Sequence, residues 1–316
     1  MECRRPTTEV LLTSIIAGLL TECPSRLRNG SIIDAGARQG GHACYFAHVA
    51  PSRTVFAFEP MLFYYRKLVA HAKPYPNMRP LQCALGRDGP RWVDPQHESA
   101  IMLDGPRLEK LIMKHAAPPQ PLVPEVASIG SLDSGGSSTV TEPKGGTPRP
   151  PWMQASAFRI ERVDDIFASE PVAVAHFDVE GLELDVLQGA VATTQRDLPL
   201  LSVELHVASN ATFTARLHTF LERDLAYSVY VVNEVCGKRE DCRNLLAFPR
   251  AREHLLRGSS TLDLAIASGS LVRARSPEAL IMLVPSAVGK SAPMKANALQ
   301  RSTRFSPLGE HRPMWP

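Results

Sequence analysis

Short, unbroken apolar runs alternate along the chain with stretches in which apolar residues recur every three or four positions. The first pattern suits strands buried on both faces, and the second suits helices lying on a sheet. Strands are predicted at 31–35, 54–58, 78–83, 172–178, 200–205 and 227–232, with a weaker one at 244–248. Helices are predicted at 42–49, 61–72, 182–193 and 212–224. Each strand reaches its helix through a short connection, as in βα units. The expected fold is therefore α/β: a Rossmann-like, doubly wound, mostly parallel sheet with helices on both faces, filling residues 30–250.

The flanks read differently. The apolar stretch from Val10 to Leu20 is about half the length that spans a bilayer. Arg4 and Arg5 precede it, as in a signal peptide, but no small-residue cleavage site follows before the first strand. It is read as an amphipathic opening helix within an N-terminal helical segment (1–29). The chain is expected to be cytoplasmic, with no stable membrane span; the signal peptide stays open as the alternative. Between about 116 and 152, Pro, Gly and Ser displace core-forming residues, which predicts a disordered or loosely ordered insertion. Residues 251–316 form an extension. Its apolar pieces at 262–267 and 279–284 either cover an edge of the sheet or have no fixed place, and from about 291 it is a polar, basic tail.

Composition narrows the partners. Hydrophobic content of 44% supports a core, while a net charge of +3 and 6% aromatic residues provide neither a basic face nor a stacking platform for nucleic acid. The six cysteines include no CxxC pair, which argues against a structural zinc site and a dense disulfide framework. Cys236 and Cys242 are close in sequence across a turn-rich segment. They are either bridged across a hairpin or free, since geometry decides.

Chemistry first shows in Asp34-Ala35-Gly36-Ala37-Arg38-Gln39-Gly40-Gly41, which follows one predicted strand and opens a helix. Glycine permits close backbone approach, and a helix start offers free N–H groups. A dinucleotide loop needs a second glycine where Arg38 stands, and an acid at Asp34 sits poorly beside a diphosphate. Asp34 suits instead a cationic amino-acid head group. Glu59 ends the second predicted strand, where a carboxylate accepts ribose hydroxyls. Together Asp34, Gly36, Arg38, Gly40 and Glu59 point to an adenosine ligand without a diphosphate.

These residues resemble the FkbM-like methyltransferase family. Its D-x-G-A-N-x-G strand end appears as Asp34-Ala35-Gly36-Ala37-Arg38-Gln39-Gly40, and its F-E-P as Phe58-Glu59-Pro60. Its D-x-E-G-x-E-x-x-x-L-x-G-A block appears from Asp178 to Ala190, and its E-x-H as Glu204-Leu205-His206. The third strand's A-L-G is Ala84-Leu85-Gly86, and the segment from Ser156 to Ile166 looks like the entry to the fourth strand. Arg38 stands where Asn is usual, and His176 where Lys often precedes the Asp-x-Glu pair. The resemblance covers about residues 30–110 and 155–250. It implies a class I methyltransferase with S-adenosyl-L-methionine as cofactor, bound by Asp34, Gly36, Arg38, Gly40, Glu59, Pro60 and Ala84.

The strand ends supply the reactive groups, because ligands of open α/β sheets bind there. His206, His176 and Asp178 are the candidates, in that order, for taking a proton from an acceptor hydroxyl. Glu180 and Glu204 orient the acceptor, while Glu183 and Asp185 are expected to be solvated at a helix start. Spacing alone establishes no metal site, and none is assigned. The expected reaction is O-methylation of a sugar, lipid or secondary metabolite. A nicotinamide-dependent oxidoreductase and a catalytically inactive binding domain are the alternatives.

Overall fold

A computed structural model describes residues 9–22, 26–89, 91–93, 158–207, 211–236 and 240–283. The insertion expected at about 116–152 and the tail expected from about 291 lie outside them. The first half contains α1 (Val10–Glu22), β1 (Ser31–Ala35), α2 (Gly41–Val49), β2 (Val55–Phe58), α3 (Leu62–Ala72), β3 (Met78–Leu81), β4 (Cys83–Leu85) and β5 (Arg91–Val93). Next come β6 (Phe158–Glu161), α4 (Val163–Ile166), β7 (Val172–Phe177), α5 (Glu183–Gln188), α6 (Val191–Asp197), β8 (Leu200–His206) and α7 (Ala211–Thr219). A π-helical turn (Phe220–Asp224) leads to β9 (Tyr227–Val235), β10 (Cys242–Pro249), α8 (Arg250–Leu256), α9 (Ser260–Ala267), β11 (Leu271–Arg273) and α10 (Pro277–Met282).

The main sheet has eight strands in the order β11-β9-β10-β8-β7-β1-β2-β3. From β3 across to β8 neighbours are parallel, and β10, β9 and β11 pair antiparallel beyond them. Alternation along each strand feeds two cores. Ile32, Val55, Ala57 and Val174 face α1, α2 and α9, whereas Ile33, Phe58, Ala175 and Phe177 face α4–α7 and α10. Burying each such valine, isoleucine or phenylalanine contributes about 1.5–3 kcal/mol. The fold is Rossmann-like. Its crossover connections run outward in both directions from the adjacent β1 and β7, so a crevice opens above their carboxyl ends.

The elements depart from expectation where tertiary contacts decide. The strand expected at 78–83 breaks at Gln82: β3 stays in the main sheet, and β4 joins a small sheet ordered β4-β6-β5. The helix expected at 182–193 divides at Gly189, where an added Cβ would lie 2.1 Å from the Gly86 carbonyl oxygen. Asp164 then caps the second piece by accepting from Ala192 N (3.1 Å) and Thr193 N (2.7 Å). The helix expected at 212–224 ends as α7 and finishes in the π turn.

β11 adds itself to the edge strand β9, which gives part of the extension a fixed place. The opening helix packs on the sheet, with Leu12, Ile15, Ile16 and Leu19 fully buried. No described helix is long and apolar enough to cross a membrane. Cys236 and Cys242 are bridged across the β9–β10 hairpin, with Cα atoms 5.2 Å apart. Such bridges persist in oxidising compartments.

Candidate active site

The crevice floor is shaped by a glycine that cannot be replaced cheaply. Gly36 turns the chain out of β1 with φ +81°, and an added Cβ would lie 1.7 Å from the Asp178 carbonyl oxygen. Asp178 N in turn donates to Ala35 O at 3.0 Å, so the ends of β1 and β7 are locked together. Gly40, at φ +92°, precedes α2 and donates to Ala37 O at 2.7 Å. Arg38 occupies the left-handed region at φ +47°. Asn tolerates that region well, and Arg38 sits there with its guanidinium over the Tyr64 ring, 5.2 Å from the centroid.

Glu59 organises the rim. It is buried, with Oε2 accepting from Arg38 N (2.8 Å) and Oε1 from Met61 N (2.7 Å). Burial pushes its carboxyl up to about 7, against the two hydrogen bonds and the Arg38 charge. Gly36 N and Ala37 N both donate to Phe58 O at 3.0 Å. Four N–H groups of this loop (Gly36, Ala37, Arg38 and Gly40) are therefore committed within the protein. Pro60 and Ala84 are half-buried, and Ala84 lies in the small sheet opposite Ile160.

Asp34 and His176 do not face the crevice freely. Each is only 1% exposed, and they are register partners on β1 and β7. Burial raises the Asp34 carboxyl to about 6, against the pull of His42 and the Ala43 N–H. His176 Nδ1 lies 2.9 Å from Ser202 Oγ, and burial holds its ring neutral.

Acids and one histidine line the adjoining strand ends. His206 Nε2 lies 3.9 Å from both Glu180 Oε2 and Glu204 Oε1. Glu180 is exposed and left-handed (φ +56°), followed by Gly181 at φ +97°. Asp178 and Glu204 are both raised well above the usual carboxylate range, first by burial and then by neighbouring acids. The structure thus brings together Asp178, Glu180, Glu204 and His206, and sets His176 beneath them.

Three contributors were missed in the sequence. Glu183, expected in solvent, is 2% exposed and accepts from Val179 N (3.2 Å) and Gly181 N (2.9 Å). Its signal was its place in the Asp-x-Glu-Gly-x-Glu block. His42, in the first turn of α2, and Glu9, just before α1, converge from elements that only folding brings over β1. Glu9 Oε2 lies 2.8 Å from His42 Nε2.

Residues 34–229, well over half of the 316-residue chain, match the family model described as the methyltransferase FkbM domain. The chain belongs to the FkbM methyltransferase family. No curated protein matches it. Among solved structures, this member of the family is similar to methyltransferase FkbM from Methylobacillus flagellatus KT, at 14% identity and a TM-score of 0.42. That match covers 73% of this chain and 47% of the other, so the chain spans about half the length of that relative. It is also similar to precorrin-6y C5,15-methyltransferase from Geobacter metallireducens GS-15, at 10% identity and a TM-score of 0.36, covering 78% of this chain and 94% of that one.

Proposed function

We propose that this FkbM methyltransferase uses S-adenosyl-L-methionine to methylate a hydroxyl of a small-molecule, glycan or lipid acceptor. The observation that carries the cofactor reading is Glu59, held at the end of β2 by two backbone N–H groups beside a loop with four of its own N–H groups committed. A diphosphate needs free N–H groups, so this loop disfavours the nicotinamide alternative. The donor set fits a cation instead: Asp178 and Glu180 stand at the neighbouring strand end, with Asp34 beneath.

S-adenosylmethionine supplies an electrophilic methyl group on sulfur. The residues supply position and proton transfer. Glu59 would accept the ribose hydroxyls, and Asp178 with Glu180 would face the ammonium end. His206 Nε2 would take the proton of the acceptor hydroxyl as that oxygen receives the methyl group. Because His176 is buried and held by Ser202, the base assignment falls on His206.

Titration calorimetry with S-adenosylmethionine and S-adenosylhomocysteine tests the proposal. Wild-type protein is expected to bind both, and Glu59→Ala to bind roughly 10–100-fold more weakly through lost charged hydrogen bonds. His206→Ala is expected to retain cofactor affinity and lose turnover on any acceptor found. Absence of binding by folded wild-type protein overturns the reading.

A further inference from the structure

Beneath the crevice, on the α1 and α2 side of the sheet, three side chains converge, Asp34 and His176 buried and His42 half-buried. Asp34 and His176 emerge side by side from β1 and β7, and His42 covers them from α2, its ring centroid 4.6 Å from that of His176. One ligand atom from each of the three lies within 4.8 Å of the others. Asp34 Oδ2 and His176 Nε2 are fully buried without a hydrogen-bond partner. A buried polar atom left unpaired destabilises the fold, so two that lie together in one cluster call for an occupant. His176 is already aimed, because Ser202 Oγ fixes its Nδ1 at 2.9 Å. Glu9, 7% exposed, stands behind His42, with Oε2 2.8 Å from His42 Nε2.

We propose that Asp34, His42 and His176 bind a divalent transition-metal ion of the zinc class. Two imidazoles and a carboxylate suit zinc, whereas magnesium and calcium prefer oxygen alone. Neighbouring ligand atoms around a tetrahedral ion are roughly 3.4 Å apart, so about an ångström of closure completes the set of three. The ion ties α2 to the two strands that carry the crevice. The inference does not rest on the identity of the methyl donor.

The test uses the full chain, stripped with chelator and dialysed, then titrated with Zn2+ and with Co2+. The expected result is one equivalent of Zn2+ bound with a dissociation constant below about 1 μM, and a Co2+ spectrum without thiolate charge transfer. Zinc is expected to raise the melting temperature of the stripped protein. His42→Ala and His176→Ala are expected to weaken binding at least ~100-fold, and Ser202→Ala, which leaves all three ligands in place, roughly 10–100-fold. A Cys236→Ser, Cys242→Ser double variant is expected to bind like wild type; it controls for the separate group of Glu204 and these two cysteines, which could take metal only with the bridge reduced.

Folded, stripped protein that binds neither ion at ~10 μM overturns the proposal, as does zinc lost with the two cysteines. Competition between zinc and S-adenosylhomocysteine, with the cofactor rather than zinc lost in His42→Ala, would assign the cluster to the cofactor's ammonium and also overturn it.

Discussion

Gly36 shows how much one residue can carry. Its φ of +81° and the 1.7 Å approach of the Asp178 carbonyl oxygen exclude any side chain unless β1 and β7 separate. Gly36→Ala is expected to cost about 2–3 kcal/mol in strain and displacement, lowering the melting temperature by roughly 5–10 °C. Cofactor affinity should fall with it; a melting temperature within about 1 °C of wild type would show that the loop yields freely. Gly36, Asp34 and Glu59 were legible in the sequence because strand ends place them by local spacing alone. His42 and Glu9 were not, because neither belongs to the loop motif and their partners come from other elements. Glu183 was misread as solvated, although its carboxylate closes the turn at Gly181 and holds the two left-handed residues there.

At the scale of elements, α1 depends on a residue far away in sequence. Its first turn contains no acid, and the free N–H groups of Leu11 and Leu12 go to the Glu234 carboxylate on β9 at 2.8–3.1 Å. Glu234 therefore serves as a remote N-cap. Glu234→Ala is expected to destabilise the protein by about 1–2 kcal/mol, and Glu234→Gln by less, because the amide oxygen still accepts. Denaturant unfolding of the three proteins checks the order, and equal stability would remove the cap from the account. The helix itself was legible from its apolar spacing, but its cap was not. The same limit explains the other departures. Strands buried on both faces, such as β1 and β7, announce themselves as apolar runs. A three-residue edge strand such as β11 has no period to read, and the division between α5 and α6 depends on Gly86 and Asp164 meeting Gly189.

For the whole molecule, the acids gathered at the strand ends set the direction of its pH response. Burial pushes Glu59 and Glu183 up to about 7 each, and Glu204 is raised by burial and by Asp178, Glu9, Glu180 and Glu183. In the unfolded chain a glutamate titrates near 4.3. A carboxyl raised on folding adds stability that is complete below the unfolded value and is lost as pH climbs through the folded one. Acids lowered on folding, such as Asp197 and Glu222, act with the opposite sign. Their contribution is already complete near pH 5, however, and constant above it. Between pH 6.5 and 8 the raised acids therefore dominate, each removing up to ~1.4 kcal/mol per pH unit. Scanning calorimetry of ligand-free protein should show the melting temperature falling by a few degrees across that window. Glu204→Gln should flatten the slope by removing one of the charges that must be buried. A cation bound among the acids should flatten it too, because it offsets the repulsion that raises them. A melting temperature that stays level or climbs from pH 6.5 to 8 would mean that these acids reach water rather than being buried at the strand ends.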